Sequence, residues 1–194
     1  MAIVVVGGQA RNLGKTSVVA GLIRALPEFR WSAFKITQHW RGTDLVDAEQ
    51  GTACAISEEY DAAVSTDSSR YLAAGAARSF WVRTREGQLG EAMPRLRAAF
   101  ETVQASGGNV IVESNSILGF LEPDVYLSVL DPKTADFKES ARRYLDRAHA
   151  VLLTADESAA LGLPERTLRF RMQPPGYVTA EIADFVRERL ESRR

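Results

Sequence analysis

The sequence has little cysteine, little histidine and almost no net charge. It contains one cysteine, Cys54, two histidines, and 24 basic against 25 acidic residues. A single cysteine excludes an internal disulfide framework and is typical of a reducing compartment, so we expect a cytoplasmic location. The balanced charge gives no indication of nucleic acid as a partner, and two isolated histidines make a weak case for zinc.

Long hydrophobic runs are also missing. No apolar stretch approaches the roughly eighteen residues of a membrane span. The apolar run at residues 3–6 has no basic region before it and stops at Gly7, so we expect neither a signal peptide nor a membrane association. The remaining composition, 45% apolar and 25% charged over 194 residues, is that of an ordinary globular protein, and we expect a single domain over residues 1–194.

Short apolar segments alternate with helix-length segments along the chain. Strands are predicted at residues 2–6, 32–36, 53–56, 79–83, 109–113, 125–130, 150–154 and 168–172. Helices are predicted at residues 16–26, 68–75 (with Asp67 or Ser68 as N-cap), 89–105 (regular from Pro94), 137–148 and 180–190. This alternation predicts an α/β fold of three layers, a mostly parallel sheet with helices on both faces. Ligands of such sheets bind beyond the carboxyl ends of the strands.

The most informative segment is residues 7–17, GGQARNLGKTS, between the first predicted strand and the first predicted helix. This layout is typical of a phosphate-binding loop, in which backbone N–H groups and a helix N-terminus face one anion. Lys15 is expected to reach the terminal phosphates, and the Thr16 hydroxyl to ligate Mg²⁺. The segment therefore predicts a P-loop NTPase fold and a site for a nucleoside triphosphate with Mg²⁺.

The loop departs from the usual spacing. Five residues, not four, separate Gly8 from Gly14-Lys15-Thr16, and Gln9 stands where a glycine is usual. Either the loop is one residue longer, or its tight turn is built differently.

Four charged residues outside the loop are further candidates for the site. Glu113 ends a buried strand, where it would bind Mg²⁺ through water or orient the attacking water; the alternative is a polar strand end facing solvent. Lys35 is charged within an apolar strand, and would face the triphosphate or an acidic substrate unless it is an edge lysine that snorkels to water. Asp67 is by default a helix cap. Arg70 would contact a phosphate or a dimer partner, or else lie free on the surface.

Three blocks of the sequence belong together: residues 11–17 (RNLGKTS), residues 34–36 with His39, and residues 67–70 with 74–76. In this order they resemble the MobB family of nucleotide-binding accessory proteins in molybdopterin guanine dinucleotide biosynthesis. The segment 11–17 is similar to that family's basic-Asn-Ser-Gly-Lys-Thr-Thr. Residues 34–36 with His39 are similar to its Ile-Lys-His segment. Residues 67–70 with 74–76 are similar to its Asp-Ser-x-Arg…Ala-Gly-Ala. The resemblance covers about the first 76 residues, and the family's usual Glu-Gly strand end is Glu113-Ser114 here.

The resemblance implies a P-loop fold of the signal-recognition and MinD-like class, GTP binding with slow hydrolysis, Mg²⁺, and a homodimer. It also implies a partnership with the guanylyltransferase of the molybdenum cofactor. Carried over by residue, Lys15, Asp67 and Glu113 would be catalytic, and Thr16, Asp67 and Glu113 would hold the metal. The nucleotide would contact Gly8, Arg11, Asn12, Leu13, Gly14, Lys15, Thr16, Ser17, Lys35 and Arg70.

Two other functions remain open at this point. One is a synthetic enzyme of the same fold, either a small-molecule kinase or an ATP-dependent ligase similar to dethiobiotin synthetase. The other is a binding module in which the nucleotide switches a partner interface through residues 37–67. Because the sequence has no Asn-Lys-x-Asp motif for guanine, it leaves GTP and ATP both possible.

Overall fold

The computed structural model describes residues 1–38, 54–63, 65–155, 163 and 167–192. The strands are β1 (Ile3–Gly8), β2 (Trp31–Thr37), β3 (Cys54–Glu59), β4 (Arg78–Thr84), β5 (Asn109–Glu113), β6 (Val125–Leu130), β7 (Ala150–Leu153) and β8 (Leu168–Arg171). The α-helices are α1 (Lys15–Ala25), α2 (Asp67–Ala73), α3 (Leu89–Ala105), α4 (Glu139–Tyr144) and α5 (Ala180–Glu191).

The strands form one sheet in the order β3-β4-β2-β5-β1-β6-β7-β8, in which only β3 runs antiparallel to its neighbour. In the register of the central strands, Glu113 of β5 lies between Val6 of β1 and Lys35 of β2. The carboxyl ends of β1, β2 and β5 therefore meet at one edge of the sheet. This is the edge at which parallel α/β sheets bind ligands.

Helices cover both faces of the sheet. Successive residues of a strand point to opposite faces, so Val4 and Val6 pack in the core under α1, α2 and α5, while Val5 packs in the core under α3. The side chains of Val4, Val5 and Val6 are all fully buried. The prediction of a three-layer α/β fold with a mostly parallel sheet is confirmed.

Two element boundaries differ from the predicted ones at the site edge. Strand β1 extends to Gly8, because Gly7 and Gly8 still pair with β6. Helix α2 is capped by Thr66, whose hydroxyl accepts the N–H of Ser69, so the predicted caps Asp67 and Ser68 are wrong and Asp67 is the first helical residue. This frees the Asp67 carboxylate for other contacts.

Two further helices also differ. Helix α3 is regular from Leu89, not from Pro94, because burial of Leu89, Ala92 and Met93 holds the preceding turn in place. The predicted helix at 137–148 is shorter, since α4 ends at Tyr144 and a 3₁₀ turn follows. Among the helices of the described ranges, none is both long and apolar enough to cross a membrane.

Candidate functional site

The segment between β1 and α1 turns sharply at two residues with positive φ. Gly14, the N-cap of α1, has φ +90°, and Asn12 has φ +60°. A Cβ at Gly14 would lie 2.5 Å from the Tyr177 ring, so both conformation and space require glycine there. In the described part of the chain, no side chain caps α1 by a hydrogen bond. The N–H groups of its first turn are therefore suited to an anion.

Lys15 bends back over this loop. Its Nζ donates to the carbonyl oxygen of Ala10 at 2.5 Å. Burial lowers the pKa of Lys15 from 10.5 to about 8; the positive charges of Lys138 and Lys35 lower the pKa further, against the opposing effect of Glu113. A poorly hydrated ammonium among other cations is unfavourable in the folded chain, and an anion in the loop would stabilise it.

Four polar side chains converge beyond the ends of β1, β2 and β5. Glu113, with 5% of its side chain exposed, accepts hydrogen bonds from the Thr16 hydroxyl at 2.8 Å and from Lys35 Nζ at 2.5 Å. Lys35 Nζ also lies 2.9 Å from Asp67 Oδ2 and 3.3 Å from Thr16 Oγ1. Burial acts to raise the pKa of Asp67, but the hydrogen bond and charge of Lys35 outweigh it and the pKa is lowered. We name the three oxygen-bearing side chains, those of Thr16, Asp67 and Glu113, the oxygen cluster, and Lys35 contacts all three.

Tyr71 is a member of this site that the sequence interpretation missed. Its hydroxyl, fully buried, donates to Glu113 Oε2. Burial and the neighbouring charge of Glu113 raise the pKa of Tyr71 well above its usual value, so it acts as a donor. Helical periodicity could have found it, since Tyr71 follows Asp67 by four residues and lies on the same face of α2.

Arg70 lies against the phosphate loop. Its Nη2 donates to Ser17 Oγ at 2.9 Å, and its Nη1 lies 3.7 Å from Asp67 Oδ1. Half of the side chain is exposed, so the guanidinium connects the start of α1 with the start of α2 while remaining open to solvent. This position is compatible with a phosphate contact.

Gln9 links the loop to the segment that follows β6. Only 1% of Gln9 is exposed. Its Nε2 donates to the Thr134 carbonyl at 2.6 Å, its Oε1 accepts the N–H of Asp131 at 2.9 Å, and its carbonyl accepts the N–H of Lys138 at 2.9 Å. Its own N–H donates to Val129 at 2.9 Å. The turn is thus built differently from one based on glycine, because the amide side chain adds two hydrogen bonds to the two that the Gln9 backbone makes with the neighbouring segment.

Two further residues at the loop were not assigned a role from sequence. Asn115, which follows β5, accepts the N–H of Gly8 at 2.8 Å and donates to its carbonyl at 2.9 Å. Lys138 was missed altogether. Burial is the main cause that lowers the pKa of Lys138, and the positive charge of Arg11 lowers it further. Lys138 is therefore a second poorly hydrated cation near the loop. Neither residue belongs to a local motif.

The remaining predicted residues fall into two groups. Arg11 and Asn12 are exposed in the loop, and Leu13 is partly buried against the core below it. His39, which belongs to the second block of the sequence resemblance, lies outside the described residues.

The oxygen cluster fits Mg²⁺ better than a transition metal. It offers two carboxylates and one hydroxyl, all hard oxygen donors. Among the described residues, no group of three or more histidine, cysteine, aspartate or glutamate side chains is arranged to hold a metal. Mg²⁺ usually takes one or two carboxylates and completes its octahedron with phosphate oxygens and water. This donor set therefore fits a metal that arrives with a phosphate ligand.

Comparison with known proteins identifies the fold. No protein-family model matches the sequence, and no curated protein matches it significantly. LpxK from Aquifex aeolicus in complex with ATP is similar in structure, with a TM-score of 0.54 and 19% identity, over 89% of this chain and 54% of LpxK. HypB from Helicobacter pylori in complex with nickel has a TM-score of 0.52 and 13% identity, over 98% of this chain and 88% of HypB. Bacillus subtilis MobB has a TM-score of 0.44 and 14% identity, over 97% of both chains.

The sheet order and the likenesses to LpxK and HypB define a P-loop NTPase fold. The chain spans about half the length of LpxK. At such identities the likeness to LpxK and HypB extends to the fold, and the function has to be argued from the site itself.

Proposed function

We propose that this protein binds a nucleoside triphosphate together with Mg²⁺ and cleaves or transfers its terminal phosphoryl group. The observation that carries the proposal is the position of the oxygen cluster beside the phosphate loop. Lys15, the uncapped N-terminus of α1 and a set of hard oxygen donors adjoin one another at the ligand-binding edge of the sheet. Such a combination of cations, amides and metal ligands suits a polyphosphate.

The chemistry would be mainly electrostatic. The loop amides and Lys15 would stabilise negative charge on the oxygens of the transferring phosphoryl group. Thr16, Asp67 and Glu113 would hold Mg²⁺, which would neutralise charge on the phosphate oxygens when bound. Glu113 or Asp67 would orient the attacking water, and Lys35 and Arg70 would contact phosphate or substrate.

We further propose a MobB-like accessory role in molybdenum cofactor biosynthesis, with GTP as the preferred nucleotide. Its support is the three sequence blocks at residues 11–17, 34–39 and 67–76, since a likeness in fold below 25% identity carries no function. A homodimer and a guanylyltransferase partner belong to the same proposal. Phosphoryl transfer to a small-molecule acceptor and a switch without turnover are the competing outcomes.

A thermal-shift screen with GTP, ATP and their diphosphates, each with Mg²⁺, tests the proposal, because a ligand that binds only the folded state raises its stability. We expect a triphosphate to raise the melting temperature of the parent and of Lys133→Met, an exposed control, but not of Lys15→Met. If Lys15→Met responds like the parent, the phosphate site is wrong.

Phosphate release separates the three functions. Release from GTP without an acceptor supports the accessory hydrolase. Release that requires an added acceptor supports a kinase or ligase. Tight binding without release, accompanied by a change in oligomer size, supports the nucleotide-switched module.

A further inference from the structure

We propose that the Lys35 ammonium is a tethered cation that occupies the place of the divalent metal in the nucleotide-free protein, so that metal enters only together with nucleotide. This inference rests on the metal site of the proposed function. It assigns to Lys35 a role in setting the order of binding, in addition to any contact with phosphate.

The geometry of the oxygen cluster carries this inference. Lys35 Nζ lies 2.5 Å from Glu113 Oε1, 2.9 Å from Asp67 Oδ2 and 3.3 Å from Thr16 Oγ1. These are the three side chains proposed to hold Mg²⁺. One ammonium therefore sits at the point on which the three oxygen donors converge. Its side chain is 18% exposed, so it is well enclosed by them.

The position of Lys35 in the sheet explains why it reaches this point. Lys35 is paired in register with Glu113. Each lies two residues after a residue, Ala33 or Ile111, whose side chain points into the core beneath α1. Both side chains therefore leave the sheet on the same face, at its carboxyl edge. Asp67 and Thr16 are brought to them by the first turns of α2 and α1.

Mg²⁺ and the ammonium exclude each other from this place. Mg²⁺ binds oxygen at about 2.0–2.1 Å in a strict octahedron, and an ammonium nitrogen within hydrogen-bond distance of the same oxygens leaves no space at their centre. Metal binding therefore requires that Lys35 swing out on its flexible stem.

Without nucleotide, an ammonium displaced from these oxygens would give up both of its carboxylate partners, Glu113 and Asp67. The neighbouring Lys15 would repel it through its positive charge. A triphosphate changes this, because its oxygens offer new anionic partners to both lysines. Metal and nucleotide binding are thus coupled through Lys35, and metal alone should bind weakly.

The test measures metal binding without nucleotide, using Mn²⁺ as the probe and electron paramagnetic resonance to count free Mn²⁺. We expect the parent to bind weakly and Lys35→Met to bind about tenfold tighter or more, because the competing cation is gone. Lys35→Arg keeps a cation in place and should resemble the parent. Lys15→Met removes a nearby ammonium whose hydrogen bond goes to the Ala10 carbonyl, and should gain less than about threefold.

Two results would overturn the inference. One is a Lys35→Met variant that binds Mn²⁺ no tighter than the parent. The other is an equal gain in Lys35→Met and Lys15→Met, which would indicate a general effect of charge. If Lys35→Met is unfolded alone, the inference requires that Mn²⁺ restore its fold, measured by circular dichroism, and lack of restoration counts against it.

Failure of this inference can be told apart from failure of the proposed function. A parent protein that no nucleotide stabilises refutes the function, whatever the Mn²⁺ data show. A parent that binds nucleotide, together with a Lys35→Met variant that gains no metal affinity, refutes only the role of Lys35.

Discussion

Replacing Lys15 by methionine should stabilise the nucleotide-free protein while removing nucleotide binding. Methionine keeps a chain of similar length without the charge. In the folded protein, burial lowers the pKa of Lys15 from 10.5 to about 8, so the protonated side chain opposes folding at neutral pH. The same ammonium is the proposed phosphate contact, which makes it costly for stability and favourable for binding.

The size of the effect follows from the pKa. A fall from 10.5 to about 8 corresponds to roughly 3 kcal/mol, at about 1.4 kcal/mol for each pH unit. The variant also loses the hydrogen bond from Lys15 Nζ to Ala10, which is worth about 1–2 kcal/mol. We therefore expect a net gain of roughly 1–2 kcal/mol, or about 2–8 °C in melting temperature for a chain of this size.

The pH dependence separates this cause from a change in packing. Because the pKa of Lys15 is lower in the folded state, the unfolded chain binds more protons between pH 8 and 10.5, and the parent gains stability as pH rises through that range. The advantage of Lys15→Met should be full at pH 7 and mostly lost at pH 9.5. Urea denaturation at both pH values, with a chelator and without nucleotide, measures it.

The control is Lys133→Met, an exposed lysine that should change stability by less than about 0.5 kcal/mol at either pH. A Lys15→Met variant that is less stable than the parent at pH 7 would refute the reasoning. So would a gain that is the same at pH 7 and pH 9.5.

Two further substitutions test the contacts around the loop. Gln9→Gly restores the usual glycine but leaves the N–H of Asp131 and the carbonyl of Thr134 without their partner, so urea denaturation should show a loss of about 1–3 kcal/mol; an equally stable variant would mean that these bonds add nothing. Tyr71→Phe removes a donor to the buried Glu113 and should cost about 1–3 kcal/mol in the same assay, whereas no change would show that water replaces the hydroxyl.

Much of the fold could be predicted because buried parallel strands have a simple signature. Strands β5 and β6 are apolar along most of their length, since helices cover both faces of the sheet, and their predicted bounds agree with the structure. Boundaries were wrong where tertiary contacts outweigh local preference. Pro94 is tolerated inside α3 because the turn before it is buried against the sheet. This burial depends on tertiary packing and could not be predicted from the residues around Pro94.

The contacts of Gln9 and Asn115 could not be predicted for a different reason. Gln9 bonds to residues more than 120 positions away, and Asn115 to a residue 107 positions away. A polar residue in a loop looks the same in sequence whether its partner is water or a distant backbone group. The anomaly at Gln9 could be seen in the spacing of the motif, but only the path of the segment after β6 gives its cause.

The unusual charge of Lys35 could be noticed in the sequence, but its role could not be decided there. A charge within an apolar strand suggested either a site residue or an edge lysine that snorkels to water. The sheet order excludes the second explanation, because β2 lies between β4 and β5 and has no free edge. The aliphatic stem leaves an interior strand beside Glu113, and Asp67 approaches from α2, so that two carboxylates compensate one partly buried charge. Removing an ion pair from water costs about as much free energy as the attraction between its charges returns, so the pair adds little net stability. The presence of Lys35 at this position is therefore not explained by its contribution to folding. The oxygen donors gathered around its nitrogen supply another reason, since they are the ligands that a metal–nucleotide complex would require.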